Sequence, residues 1–473
     1  MADSLSPEHH PRTSVPLWNP FYWPAGVWAL VIGTAILSVP FGIRAIKLAG
    51  IPAIQQPYDE VEFLAWDVEP EDDAFTDYQR AFELLNRQVE IKGRQDPDSV
   101  ATVLEQGWSA ADESLVQWLE FHREPLRIWR RGTEKQRGRN LSPAKLRADT
   151  NIQIIQEQRR FVRLALIEQA RSLEAGKLDE AWQWARAAQR AGGHATHRGP
   201  FIQGLVGWSL HHMSSQGLQR WAERPEVTSE QLIAALRKTR SDYALYESRG
   251  NILKSEFQML ENTLSDGQWL AMFGPQTGAD GASVAVKVRK FGYWVVAEPE
   301  LTVRLMRQVL ANQLPEIDKP LATRRKKVGS GAALLFDPDP AKPLLPGQLD
   351  STQLDRAING SMLYRTVIPS FKRTEEVMLR QEARQLTLEI LLAAQAYRRD
   401  HAEFPQDATQ LVPQYLDAIP LDPSDPAGGA IRYRRTDAHH AVVWGLGEDG
   451  TDGDGDVAPA ANGRSGDVGF LLK

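Results

Sequence analysis

The chain has no cysteine among its 473 residues. Disulfide frameworks, thiolate metal sites, iron–sulfur clusters and cysteine nucleophiles are therefore excluded. It also lacks a basic excess. Its 55 Lys and Arg face 61 Asp and Glu, a net charge of −6, so no general positive field exists to hold nucleic acid. Uncharged apolar runs long enough to span a bilayer are scarce, which excludes a polytopic membrane protein. No phosphate loop, His-Glu-x-x-His or Gly-x-Ser-x-Gly occurs; Lys327-Val-Gly-Ser-Gly331 lacks the residue between serine and glycine. With 42% apolar residues the chain is not wholly disordered, and its length suits about two to four domains.

One apolar run is long enough to matter. Phe21 to Ile43 holds 23 residues without a charge. At about 1.5 Å per residue it reaches roughly 34 Å, enough for the hydrocarbon core. Trp18, Phe21, Tyr22, Trp23 and Trp28 crowd one end like an interfacial aromatic belt. A buried core helix and a cleaved signal peptide are the competing readings. A signal peptide fits poorly, because only Arg12 precedes the run and Lys47 and Leu48 follow it. Flanking charge leaves orientation undecided: Arg12 and the α-amino group balance Arg44 and Lys47.

The expected fold is mainly α. Residues 1–50 form a tail and transmembrane anchor, 51–70 a linker, 71–315 an αα-hairpin body, 316–350 a Pro/Gly/basic linker, and 351–473 a long helix with a small α+β module. Phe75, Tyr78, Phe82, Leu85 and Val89 share one helix face. A helix begins near Ser109 and meets interference at Pro125. Ile155, Val162, Leu166 and Leu173 stripe a helix that turns at Gly176 into a return helix from Leu178 to Ala191. That turn resembles one tetratricopeptide unit, although an array needs about three. Heptad spacing from Leu232 to Leu264 predicts a single helix over Ser229–Leu264, with Thr228 and Gln231 as its capping box. Its seam packs either within the domain or on a second copy. Another helix starts at Pro299. Arg324-Arg325-Lys326-Lys327 reads as a solvated charge run, with contact to anionic lipid or nucleic acid as the competing reading.

Four histidines, His194, His197, His211 and His212, carry the possibility of a metal or hydrolytic site in the body. Against it, Gly192-Gly193 and Gly199-Pro200 put the first pair in a turn, and the adjacent pair point to different helix faces.

The C-terminus is more specific. Leu379, Ala383, Leu386, Ile390, Ala393 and Tyr397 line one helix face. Phe404-Pro405, Leu411-Val412, Asp422-Pro423, a Tyr433 strand, the strand Ala441–Trp444, and Gly447, Asp449 and Gly450 follow in order. Between Thr436 and Lys473, seven acids (Asp437, Glu448, Asp449, Asp452, Asp454, Asp456 and Asp467) face only Arg464 and Lys473. Such a loop is either solvated or holds a cation, and calcium takes six to eight oxygens in flexible geometry. Asp452, Asp454 and Asp456 alternate like the start of an EF-hand, but Val457 and Gly463 occupy the positions of its glycine and glutamate.

Over about residues 376–470 this order resembles the globular part of the type II secretion protein G family, the major pseudopilins. Departures are clear: no prepilin peptidase site precedes Phe21, and Ser424-Asp425 replace the usual Trp-Gly. The resemblance implies calcium in the terminal loop, with Asp449, Asp452, Asp454, Asp456 and Asp467 as ligands. It also implies a cytoplasmic N-terminus and an extracytoplasmic body at the bacterial inner membrane. The body itself resembles uncharacterised membrane-anchored bacterial proteins, through Tyr78-x-x-Ala-Phe82, Gly199-Pro-x-Ile202 and Leu205-Val-Gly207. The expected function is a single-pass, non-enzymatic envelope scaffold, anchored in lipid by residues 21–43 and displaying a calcium-binding module to a protein partner. A membrane-anchored hydrolase with a site among the body's histidines and carboxylates is the alternative.

Overall fold

The computed structural model describes residues 24–65, 68–92, 99–265, 284–331, 333–367, 371–447, 450–458 and 466–473. The chain divides into two compact units, one of residues 1–52 with 277–301, the other of residues 53–276 with 302–473.

In the first unit, α1 (Ala25–Ala49) has no buried residue and a mean hydropathy of 1.9. It is a helix near the N-terminus long and apolar enough to cross a membrane, and its exposure sets aside the reading of a core helix. Phe21–Trp23 lie outside the described residues. The helix runs through Pro40 and past Ile43, because Arg44 finds partners: it donates to Trp294 O at 2.8 Å and pairs with Glu300. Trp294 sits on α12 (Val284–Val295), edge-on to Phe41 at 5.1 Å.

The second unit is mainly helical. Its helices before the sheets are α2 (Glu60–Leu64), α3 (Ala74–Lys92), α4 (Ser99–Gln106), α5 (Glu113–Phe121), α6 (Arg123–Thr133), α7 (Gln153–Glu174), α8 (Leu178–Thr196), α9 (Phe201–Ala222), α10 (Ser229–Tyr243), α11 (Arg249–Ser265) and α13 (Glu300–Ile317), whose first turn belongs to the first unit. Then come β1 (Lys327–Val328), β2 (Leu335–Phe336), α14 (Ser351–Gly360), α15 (Met362–Val367) and α16 (Phe371–His401). β3 (Arg432–Arg435), β4 (Ala441–Gly445) and β5 (Val468–Leu472) form an antiparallel sheet in the order β3-β4-β5.

Local chemistry explains several boundaries. Asp112, not Ser109, caps α5 by accepting from Leu115 N at 2.8 Å. Pro125 falls in the first turn of α6, where a missing N–H costs little. Gly176 adopts φ +68° and ends α7 so that α8 folds back. Around Trp129 a first core forms, with Phe161 stacked at 5.8 Å and Gln158 accepting its indole N–H at 2.7 Å.

Three expectations are corrected. The single helix Ser229–Leu264 is broken between Tyr243 and Arg249. There Tyr246 turns inward and donates to Gln189 O at 2.7 Å, while Glu247 N donates to Thr196 Oγ1 at 3.0 Å. These tertiary bonds outweigh the heptad pattern. Second, the stretch 51–70 is not a bare spacer, for Asp59 caps α2 and Phe63 is buried beneath the Arg198 guanidinium. Third, only half of the basic tetrad is solvated: Lys326 and Lys327 are exposed, but the two arginines are paired. Arg324 is buried against Glu375, and Arg325 donates to Glu316 at 2.9 Å. The strap that follows is pinned by Asn312, which bonds both the N–H and the C=O of Phe336 at 2.9 Å.

The C-terminal module does not stand apart from the body. Leu388, Leu392, Phe404, Val443 and Phe470 share one buried cluster with Leu218, Trp221, Leu232 and Leu236. α16 packs on α9 and α10 and on β4 and β5.

Candidate functional site

The acidic loop is fastened to the sheet by arginines. Asp452 accepts from Arg432 Nε at 2.9 Å and from the Trp444 indole N–H at 2.9 Å; the indole bond holds its carboxyl below the usual range. Asp454, at φ +56°, pairs with Arg434, which also donates to Asp454 O at 2.9 Å. Asp467 is buried and accepts from Gly453 N at 3.2 Å and Gly455 N at 2.8 Å, and burial pushes its carboxyl up. Asp456 is exposed and accepts from Ala458 N at 3.3 Å. Asp449 lies outside the described residues. Among the described residues, no three His, Asp or Glu side chains converge where one metal ion could sit.

Arg432 is the hub of this face. It reaches Asp422 at 3.1 Å, Asp425 at 2.7 Å and Asp452 at 2.9 Å. Asp422 also accepts from Leu446 N at 2.7 Å and Ser424 N at 2.9 Å. One guanidinium thus ties the Asp-Pro corner, the first strand and the acidic loop together.

The histidines do not form a hydrolytic constellation. Gly192 and Gly193 lie inside α8 rather than in a turn, and so does His194. Its Nδ1 meets Tyr78 Oη at 2.8 Å and its Nε2 meets Lys135 O at 3.0 Å, so both ring nitrogens are committed. His197 faces Glu247 instead, at 3.4 Å. His211 is buried against Tyr243 and Tyr246, with Nε2 3.0 Å from Gln385 Oε1.

No family model, curated protein or solved structure matches this chain. The remaining signal is therefore in its own cavities. A cleft of about 550 Å³ runs between Leu146, Pro200, Ile202, Leu205 and Met259. Glu256 lines it, accepts from Phe201 N at 2.9 Å, and is pushed up to about 7 by burial. A second cavity, of about 500 Å³, is lined by Arg380 and Arg384. The sequence reading missed both. The arginine pair is legible as four-residue spacing on a helix, but the cleft has no linear signature.

Burial makes the histidines a stability device. It holds His194 down to about 3 and His211 to about 4. Each native imidazole stays neutral, while the unfolded chain takes a proton below about pH 6.5. Their contribution is whole above that pH and is lost as pH falls towards the native values. Replacing His211 with Gln is expected to flatten the dependence of unfolding free energy on pH between about 6 and 4.5, by about 1.4 kcal/mol per unit. Urea melts across that range check it; parallel slopes would mean that His211 titrates normally.

Proposed function

We propose that the chain is a single-pass membrane-anchored scaffold of the bacterial envelope, presenting its helical body and C-terminal module to a protein partner outside the cytoplasm. The observation that carries this reading is α1, whose Leu30, Ile36, Leu37, Phe41 and Ile46 stand exposed. Exposed apolar surface on that scale supports insertion into lipid. α12, in the same unit, adds exposed Val288 and Phe291 beside Lys287, Arg289 and Lys290, the pattern of a helix lying at a membrane surface. The pseudopilin resemblance supplies the orientation. The hydrolase alternative draws no support from His194, whose nitrogens are both engaged within the fold.

Full-length protein is expected to stay in the pellet after alkaline washing of membranes. A reporter active only outside the cytoplasm, fused after Lys473, is expected to be active. Release by alkali would refute the anchor, and a silent reporter on a stable fusion would refute the orientation. Calcium belongs to this reading as a ligand of the terminal loop, in competition with Arg432 and Arg434. Calorimetry on the detergent-solubilised chain is expected to show weak saturable binding at about 10⁻⁴–10⁻³ M. No heat, or heat unchanged in a combined Asp452→Ala, Asp454→Ala variant, would remove calcium from it.

A further inference from the structure

Arg384 is 7% exposed, and among the described residues its Nε is buried without a partner, with the Phe470 ring 5.6 Å from the guanidinium. A buried N–H left without an acceptor is costly, because nothing replaces the water it gave up. Burial lowers it only to about 10, so it remains charged at neutral pH. This side chain lines the 500 Å³ cavity, which lies where α9, α16 and β5 meet. Arg380, one turn earlier on α16, lines it too, and His212, Gln216 and Gln219 line it from α9. No Asp or Glu is among the lining residues, in a chain whose net charge is −6. Glu223, at the end of α9, accepts from Gln219 at 2.9 Å.

We propose that this cavity is a binding site for a phosphate ester, with the phosphate oxygens held by Arg384 and Arg380. Two guanidinium groups on consecutive turns offer more donors than one carboxylate has lone pairs in reach, whereas a tetrahedral oxoanion accepts from both. The volume exceeds what inorganic phosphate fills and lies in the range of small-ligand sites. Phe470, Val457 and Leu471 provide an apolar wall for the remainder of the ester. His212 is pulled down to about 3 by burial and then by Arg384, and therefore faces the ligand uncharged. The same phosphate chemistry is offered by a soluble metabolite and by a lipid headgroup.

The test uses full-length protein in maltoside micelles, titrated with inorganic phosphate, phenyl phosphate and dihexanoyl phosphatidylglycerol, and read by calorimetry and melting temperature. Phenyl phosphate is expected to bind more tightly than inorganic phosphate. Tighter binding of the lipid than of phenyl phosphate places the source in the bilayer; the reverse places it in solution. Arg384→Gln is expected to weaken binding by about tenfold or more, without lowering the melting temperature of the ligand-free protein, since it removes an uncompensated buried charge. A purely structural arginine would instead melt lower when replaced. Should that variant fail to fold, Arg380→Gln carries the comparison. Arg373→Gln, at an exposed arginine outside this cavity, is the control for general electrostatics. Absence of saturable binding by all three probes at millimolar concentration would overturn the proposal. So would an equal loss in Arg373→Gln, or undiminished binding in the Arg384 and Arg380 variants.

Discussion

Glu375→Gln is expected to destabilise the second unit by about 3–5 kcal/mol, the cost of stranding one member of a buried ion pair. Glu375 is 3% exposed, and its partner Arg324 is as deeply enclosed. Arg324 also donates to Lys319 O at 2.8 Å and Ile317 O at 2.9 Å, so it closes the end of α13 as well as neutralising the carboxylate. Without that carboxylate the guanidinium would stay buried and charged. Replacing both residues together, Arg324→Met with Glu375→Leu, is expected to recover most of the loss, because apolar groups of similar volume replace a buried pair at little net cost. Lys319 O would keep a donor from Arg249 at 3.2 Å. Urea unfolding of the three variants checks this. A single variant within about 1 kcal/mol of the parent would show that the pair is solvated.

Gly207→Val is expected to cost about 3 kcal/mol or more, beyond ordinary overpacking. α8 and α9 approach backbone to backbone at Gly192 and Gly207. A Cβ on Gly207 would stand 2.5 Å from Gly192 O and closer still to Thr196 Cγ2. On Gly192 it would stand 2.8 Å from Gly207 O and press on the Tyr246 hydroxyl. Neither contact can be relieved by rotating a long side chain, because backbone is on the other side. Gly292 in α12 is the contrast, with nothing within 4 Å of its would-be Cβ. There Gly→Ala is expected to leave stability unchanged or raise it by about 0.5–1 kcal/mol through helix propensity. Paired melting curves decide the matter; equal effects at the two positions would refute the close crossing.

The same glycines show where reading the sequence stops. Apolar stripes such as Phe75–Tyr78–Leu85 and Ile155–Val162–Leu166 state a helix and its buried face, and those helices are present. The caps at Thr228 and Gly176 are equally local and equally legible. Gly192-Gly193 read locally as a turn, yet they are the contact patch of a helix, since what they touch lies in α9 and in the chain around Tyr246. The break after Tyr243 is likewise written by partners some 50 residues away, Gln189 and Thr196. Charge is the hardest to read. Arg324 looked like part of a solvated tetrad until Glu375 was brought against it. The acids of the terminal loop looked uncompensated until β3 delivered Arg432 and Arg434 to them. The arginine cavity needs α9, α16 and β5 at once, and no window along the chain contains all three.

The shared core of body and terminal module has a consequence for how the chain is made. Leu218, Trp221, Leu232 and Leu236 are covered by residues of α16 and the sheet that follows them by well over a hundred positions. At about 5–20 residues per second, synthesis leaves that face without its native cover for on the order of ten seconds. Throughout that interval the nascent helices α9 and α10 present apolar surface that α16 and the sheet later cover. A ribosome stalled before β5 is expected to leave that face open, in a product marked for holdases and proteases.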